Sequence, residues 1–186
     1  MSRVVCLVSG GLDSAVMLCC CLEEFDRVVA VSVDYGQANR AEIPLAEALC
    51  AKLGVPHRIV SVSGLFRDGI ASGEGTFSSF SEAVVPRRNY VLIEIAAVVA
   101  IQEGAGAVYI GVNADDQEDF EDCRPNNMPS IDGVSVVLPL VGRTKREIFR
   151  MAKEQGLKDG DTVSCYLGTR CGACAACKLR EGCREI

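Results

Sequence analysis

Two sets of side chains in this sequence have the types and spacing to do chemistry. The first is Ser9-Gly10-Gly11-Leu12-Asp13-Ser14, which follows an apolar run at 4–8 and precedes a helix-like stretch at 15–22. A glycine-rich turn between a strand and a helix start can point backbone N–H groups inward, and the helix N-terminus adds partial positive charge. Ser9 and Ser14 add hydroxyl donors, and Asp13 can organise the turn or help hold Mg²⁺. A Walker loop reaches the terminal phosphates through a Gly-Lys-Ser/Thr ending, which this segment lacks. The expected chemistry is therefore nucleotide phosphate binding by a loop without its own lysine.

The second set lies near the other end, where Cys165, Cys171, Cys174 and Cys177 fall within thirteen residues. Gly172 and the small Ala173, Ala175 and Ala176 allow a tight knuckle around one ion. Four thiolates suit tetrahedral Zn²⁺ in a closed structural site, although Cys-x-x-Cys-x-x-Cys spacing also admits an iron–sulfur cluster. Cys183 is an alternative fourth ligand; Cys165 is preferred because it lets the chain loop out and return. The chain has eleven cysteines, including the run Cys19-Cys20-Cys21 in a helical pattern. That usage fits a reducing compartment better than a disulfide scaffold. Cys6, Cys19, Cys20, Cys21 and Cys50 lie in apolar periodic segments and read as small hydrophobes.

Strands are expected at 4–8, 28–33, 58–62, 107–112 and 135–140, with helices at 40–53, 89–102 and 144–154. Thr144-Lys145-Arg146-Glu147 has capping-box spacing. This alternation predicts an α/β fold: a Rossmann-like, doubly wound parallel sheet with helices on both faces. Ligands in such sheets bind beyond the carboxyl ends of the strands. The phosphate loop, Asp34-Tyr35-Gly36-Gln37, Gly111-Val112-Asn113 and the loop before Thr144 all fall at that edge. The segment 64–85 is Ser- and Gly-rich, long and without periodicity, which suits a lid or substrate loop. The 186 residues suffice for one main domain, expected over 1–160, with the cysteine segment 161–186 packed on it. A net charge of −6 argues against a broad nucleic-acid footprint. No secretory signal is visible, and the apolar helix at 90–101 is interrupted by Glu94 and too short to span a bilayer. A cytoplasmic protein without a membrane partner is expected. His57, the sole histidine, reads as a surface or hydrogen-bonded residue rather than a catalyst.

The phosphate loop resembles the PP-loop of ATP pyrophosphatases, which split ATP between the α and β phosphates and transfer AMP to a substrate oxygen. From residue 4 to about residue 180 the chain resembles the QueC family of deazapurine biosynthesis. The resemblance rests on the loop, then Asp34-Tyr35-Gly36-Gln37 with Arg40-Ala41-Glu42-Ile43, and Val85-Pro86 with Arg88-Asn89. It continues through Gly111-Val112, Asp122-Cys123-Arg124, Pro139-Leu140 with Lys145, and Cys165-Tyr166 before the cysteine triplet. It implies a PP-loop fold with a C-terminal zinc segment, and ATP, Mg²⁺ and Zn²⁺ as cofactors. The implied reaction adenylates the carboxylate of 7-carboxy-7-deazaguanine, forms the amide with ammonia, then adenylates the amide oxygen to leave the nitrile preQ0, on the route to queuosine. AMP and pyrophosphate are released.

Several site residues follow from the resemblance. The nucleotide stretch covers Val8, Ser9, Gly10, Gly11, Leu12, Asp13, Ser14, Ala15, Val16, Met17 and Leu18. Asp13, Ser14, Lys145 and Arg88 are the expected catalytic groups, and Arg88, Asp122 and Arg124 the substrate contacts. A homodimer is compatible with this picture. The sequence departs from the family in having Ala38-Asn39 where Arg-His is common after Gln37, and Ala114-Asp115-Asp116 where Glu-Thr-Asp is found. The segments 125–134 and 166–170 are also short. These changes line the expected substrate side, so other readings stay open: ligation of the adenylated acid to another amine, including a protein amine, a tRNA-thiolation enzyme, or a nucleotide-sensing module.

Overall fold

The computed structural model describes residues 3–72 and 74–184. Its strands are β1 (Arg3–Leu7), β2 (Arg27–Asp34), β3 (His57–Ser61), β4 (Ala107–Tyr109) and β5 (Ser135–Val137). The α-helices are α1 (Leu12–Glu24), α2 (Glu42–Leu53), α3 (Arg88–Glu103), α4 (Asp116–Asp119), α5 (Lys145–Glu154) and α6 (Ala175–Arg184). The five strands pair in parallel in the order β3-β2-β1-β4-β5. The winding direction reverses between β1 and β4, which opens the crevice expected of this architecture at their carboxyl ends.

Period-two alternation along β1 builds two cores. Val4, Cys6 and Val8 join Val16, Met17 and Leu18 of α1, Ala46 and Cys50 of α2, and Ile148 of α5 on one face. Val5 and Leu7 join Val29 and Val31 of β2 and Ile93, Ala96 and Ala100 of α3 on the other. Strands apolar on both sides are what a parallel sheet covered by helices requires. Cys6, Cys21 and Cys50 are buried free thiols in the first core, as packing residues.

Element boundaries shift by a few residues from the expected ones, and β4 and β5 stop early because their chains turn into the cleft-forming loops. α2 starts at Glu42 rather than residue 40, because 37–42 forms a turn in which Arg40 N–H donates to Gln37 O and Glu42 N–H to Asn39 O. α5 begins as its sequence predicts: Thr144 Oγ1 accepts from Glu147 N at 3.3 Å, and the Glu147 carboxylate accepts from Thr144 N at 2.8 Å. This cap sets Lys145 as the first helical residue.

A third core joins the two segments without obvious periodicity. Ile70, Phe77, Ala83 and Val85 from 64–85 pack on Val163, Cys165, Cys174 and Ala176, and Ala175 N–H donates to Phe77 O at 2.9 Å. The cysteine tail is helical from Ala175 onward, a feature absent from the sequence reading. Among the described residues no helix is long and apolar enough to cross a membrane.

Candidate active site

The turn between β1 and α1 is built from its own hydroxyls. Ser9 Oγ accepts from Gly11 N at 3.1 Å, Ser14 Oγ donates to Gly11 O at 2.9 Å, and Ser9 N donates to Ser14 Oγ at 3.2 Å. The opening N–H groups of a helix have no intrahelical partner. Ser9 satisfies that of Gly11, and those of Leu12, Asp13 and Ser14 have no intrahelical acceptor. Gly10 sits at φ +95°, and a Cβ there would lie 2.1 Å from the Glu42 carbonyl oxygen, so only glycine lets the loop lie against α2. Gly111 is similarly tight: a Cβ would come within 3.0 Å of Asp13 and Ser14 backbone atoms.

Opposite the loop, Lys145 Nζ meets Asp13 Oδ2 at 2.5 Å, with their side chains only 15% and 21% exposed. Burial opposes the ammonium charge, but Asp13, Asp116 and Asp115 outweigh it and hold the Lys145 pKa above its ordinary value. Asp116 accepts from Asn113 Nδ2 at 2.6 Å. Burial pushes its carboxyl up to about 6 against the pull of Lys145. Asp13 Oδ1 is buried and has no hydrogen-bond partner among the described residues.

Arg88 opens α3 behind Arg87, which takes a left-handed conformation at φ 61°. Burial opposes the Arg88 charge, and Tyr35 and Asp122 reinforce it. Asp122 Oδ2 accepts from Asn89 N at 2.9 Å and so caps the start of α3.

These groups surround a cleft with two lobes. One, of about 220 Å³, runs over the ends of β1, β2 and β4 and is lined by Val8, Ser32, Val33, Tyr35, Gly111 and Val112. The other, of about 210 Å³, is walled by Lys145, Phe80, Phe120, Ser164 and Tyr166. Phe80 meets both Phe120 and Tyr166 edge to face, at centroid distances of 6.4 and 6.3 Å. Ser9, Gly11, Asp13, Asn39, Glu42 and Arg88 line both lobes and mark their junction.

The structure thus gathers Val8, Ser9, Gly11, Leu12, Asp13, Ser14, Arg88 and Lys145 along one cleft. It places other expected site residues elsewhere. The side chains of Ala15, Val16, Met17 and Leu18 are fully buried beneath the sheet edge, because the helix that starts at the loop turns its next residues into the core. Arg124 is exposed, with Nε donating to Gln117 O at 3.0 Å, and Asp122 is spent on capping α3; neither lines a lobe. His57 accepts or donates at 2.8 Å to Ser32 Oγ, outside the cleft. Glu42, Asn39, Asp116 and Tyr166 also line the cleft: Asn39 and Asp116 lie on the substrate side expected of the sequence departures, whereas Glu42 and Tyr166 belong to quoted motifs for which the sequence suggested no role. The sequence signal for Glu42 is its place in Arg40-Ala41-Glu42-Ile43, one of the motifs that carry the family resemblance.

Glu42 is 8% exposed and accepts from Asn39 Nδ2 at 2.7 Å and Gln37 Nε2 at 3.5 Å. Burial pushes its pKa up to about 8, against the Gln37 hydrogen bond and the Arg88 charge. From the ordinary value of 4.5 up to about 8 the folded protein binds a proton here that the unfolded chain has released, so this group makes stability fall as pH rises through that window. Glu42→Gln removes the titration, and the melting temperature of the ligand-free variant should fall less across the window than that of the unaltered protein. Parallel curves would show that Glu42 is already ionised in the fold.

The sulfurs of Cys165, Cys171, Cys174 and Cys177 all lie within 4.8 Å of one another. Zn–S bonds of about 2.3 Å in a tetrahedron need sulfurs about 3.8 Å apart, so a small contraction suffices. Cys171 N–H donates to Cys165 Sγ and Cys174 N–H to Cys171 Sγ, each at 3.4 Å. Burial opposes the Cys165 thiolate, but the backbone N–H groups of Cys171, Leu167 and Thr169 bring its pKa down to about 6. The donor set therefore fits a metal ion. Cys183 is buried and lies outside this group.

The parallel sheet with a glycine- and serine-rich loop between β1 and α1, faced by Lys145 of α5, is of the PP-loop fold type expected from the sequence. Solved structures bear out the fold: U34-tRNA thiolase NcsA from Methanococcus maripaludis, solved with its [4Fe-4S] cluster, aligns at TM-score 0.59 and 20% identity over 99% of this chain and 67% of its own. NMN synthetase from Francisella tularensis aligns at TM-score 0.62 and 16% identity over 97% of this chain and 77% of its own. The family model described as queuosine biosynthesis protein QueC matches residues 3–185, and the chain belongs to that family. A 7-cyano-7-deazaguanine synthase from Alteromonas mediterranea is 34% identical over 199 residues, covering 96% of this chain and 91% of that protein.

Proposed function

We propose that this protein is an enzyme that converts 7-carboxy-7-deazaguanine and ammonia to 7-cyano-7-deazaguanine, using ATP and releasing AMP and pyrophosphate. The observation that carries this reading is the pair of lobes meeting at the phosphate loop in a chain of the QueC family. One lobe suits a nucleotide, and the aromatic-walled one suits a planar acid. The chemistry is a leaving-group problem. A carboxylate or amide oxygen leaves poorly, whereas AMP leaves readily once its charge is neutralised, so positioning and electrostatics supply the catalysis.

In this reading the N–H groups of Leu12, Asp13 and Ser14, with the Ser9 and Ser14 hydroxyls, hold the phosphates. Lys145 and Arg88 offset charge that builds on the α-phosphate and on the acid. The orphaned Asp13 Oδ1, with Asp116 nearby, fits a Mg²⁺ ion, which would supply further charge neutralisation on pyrophosphate. The four cysteines fit Zn²⁺, whose contribution is structural because four thiolates leave no open position. Residues 1–160 then act as the PP-loop domain and residues 161–186 as a zinc segment that walls the second lobe. The reaction belongs in the cytoplasm, and a homodimer is compatible with it.

The test is one incubation with ATP, Mg²⁺, 7-carboxy-7-deazaguanine and ammonium, read by mass spectrometry. Acid, amide and nitrile differ in mass, and the nitrile with AMP is the expected product pair. Accumulation of a conjugate with another amine, with no nitrile, would overturn the reading.

A further inference from the structure

Ligands held in the two lobes can react only where the lobes meet, so the attacking nitrogen must be held at that junction. The junction carries the carboxyl groups of Asp13, Asp116 and Glu42. Asp13 is paired with Lys145, and Asp116 feels the same lysine. Glu42 differs: its hydrogen-bond partners are the neutral amides of Asn39 and Gln37. Asn39 is 9% exposed, and its Oδ1 is buried with no partner among the described residues. One Asn39 amide N–H is spent on Glu42, and once Glu42 gives up the proton that burial makes it hold, its carboxylate and Asn39 Oδ1 are both acceptors. The Glu42 backbone lies against Gly10, and Asn39 and Glu42 line both lobes together with Ser9, Gly11 and Asp13 of the loop.

A buried acceptor without a partner beside an ionisable carboxyl group fits a cationic hydrogen-bond donor, whose positive charge favours the ionised form of Glu42 against the effect of burial. A purine edge mixes donors and acceptors, whereas ammonium only donates. We propose that Asn39 Oδ1 and the Glu42 carboxylate bind ammonium, and that Glu42 takes the proton that must leave before the nitrogen can attack; this rests on the reading that the acid is activated as its adenylate. Ammonium gives one proton to Glu42. The freed lone pair forms the C–N bond at the acyl carbon, and the C–O bond to AMP breaks with its electrons going to the phosphate oxygen. A second proton leaves the nitrogen for the departing AMP, and Glu42 returns its proton to solvent. The charged or titratable groups that act on Glu42 are Arg88 on α3 and Tyr35 after β2, and its raised pKa brings it nearer to that of ammonium.

The test separates activation from capture of nitrogen. Acid-dependent exchange between ATP and pyrophosphate reports adenylation alone. Hydroxylamine, largely unprotonated at neutral pH, traps the adenylate without needing a base. Glu42→Gln should lower kcat/KM for ammonium about 10²–10⁴-fold, the usual contribution of a positioned base. Exchange and hydroxamate formation should stay close to those of the unaltered protein. Asn39→Ala should raise KM for ammonium about 10-fold or more, as for a lost hydrogen bond to a charged group, and leave KM for ATP and the acid unchanged. Equal losses of exchange, hydroxamate and amide in Glu42→Gln would overturn the proposal, as would an ATP or acid KM that moves while the ammonium KM does not. If the unaltered protein shows no acid-dependent exchange, the functional reading itself fails, and the ammonium site with it.

Discussion

Lys145→Met should lower turnover about 10²–10³-fold, the loss typical when a donor aimed at developing charge is removed. The fold should persist, because Lys145 sits on the first turn of α5, whose start is fixed by the Thr144–Glu147 cap rather than by the lysine. The substitution also strips the compensating charge from Asp13 and Asp116, which face the same ammonium. Asp116, already raised by burial against the pull of Lys145, should then bind its proton more readily, and the residual activity should recover partly as pH rises. Ser14→Ala should act through a different route, since Ser14 Oγ braces Ser9 and Gly11 within the loop. Its main effect should be a raised KM for ATP. Nucleotide products should be AMP and pyrophosphate in every active variant; ADP and phosphate would show that the loop cleaves like a Walker loop. An unchanged kcat in Lys145→Met would remove the lysine from the charge-neutralising role.

Cys174→Ser should abolish binding of the metal at the cysteine cluster and lower the melting temperature. Cys174 is fully buried and joins the third core beside Phe77 and Val163, so metal binding and local folding are linked there. If the ion contributes even about 3 kcal/mol, the melting temperature should drop by roughly 6–12 °C for a chain of this size. Cys183→Ser is the control, because Cys183 is buried but outside the cluster. It should keep the metal, at about one zinc per chain by elemental analysis as one four-thiolate site requires. Metal loss in Cys183→Ser with retention in Cys165→Ser would reverse the assignment of the fourth ligand. A brown protein carrying iron and sulfide would replace zinc with a cluster. Loss of the metal should also weaken binding of the planar acid more than that of ATP, since Val163 and Ser164, just before Cys165, wall the second lobe and not the first.

Much of this molecule is legible from local pattern. The glycine pair with flanking serines, the alternation of apolar strands with helices, the Thr144–Glu147 cap and the four clustered cysteines each depend on neighbours in sequence. Hydrogen bonds within a turn, helix caps and close ligand spacing are short-range, so residue types and intervals determine them. The glycine-serine turn and the clustering of the four cysteines could be read for that reason. The cleft wall could not. Glu42 stands in a recognisable motif and Asn39 at a departure from it, but neither shows its chemistry until the turn at 37–42 is folded against Gly10 and both are removed from water. Their chemistry then comes from desolvation and an unsatisfied acceptor, which are properties of the packed state alone. Asp122 shows the converse: a carboxylate that looks ready for a ligand is committed to the N-terminus of α3, 33 residues away. The helix of the cysteine tail and the anchoring of 64–85 by Ile70 and Phe77 likewise arise from burial against each other. Sequence alone determined the class of fold, the glycine-serine turn between β1 and α1, and the candidate metal ligands. Only the tertiary structure decided which charges face the cleft, because burial and pairing across distant segments set where a charge can exist.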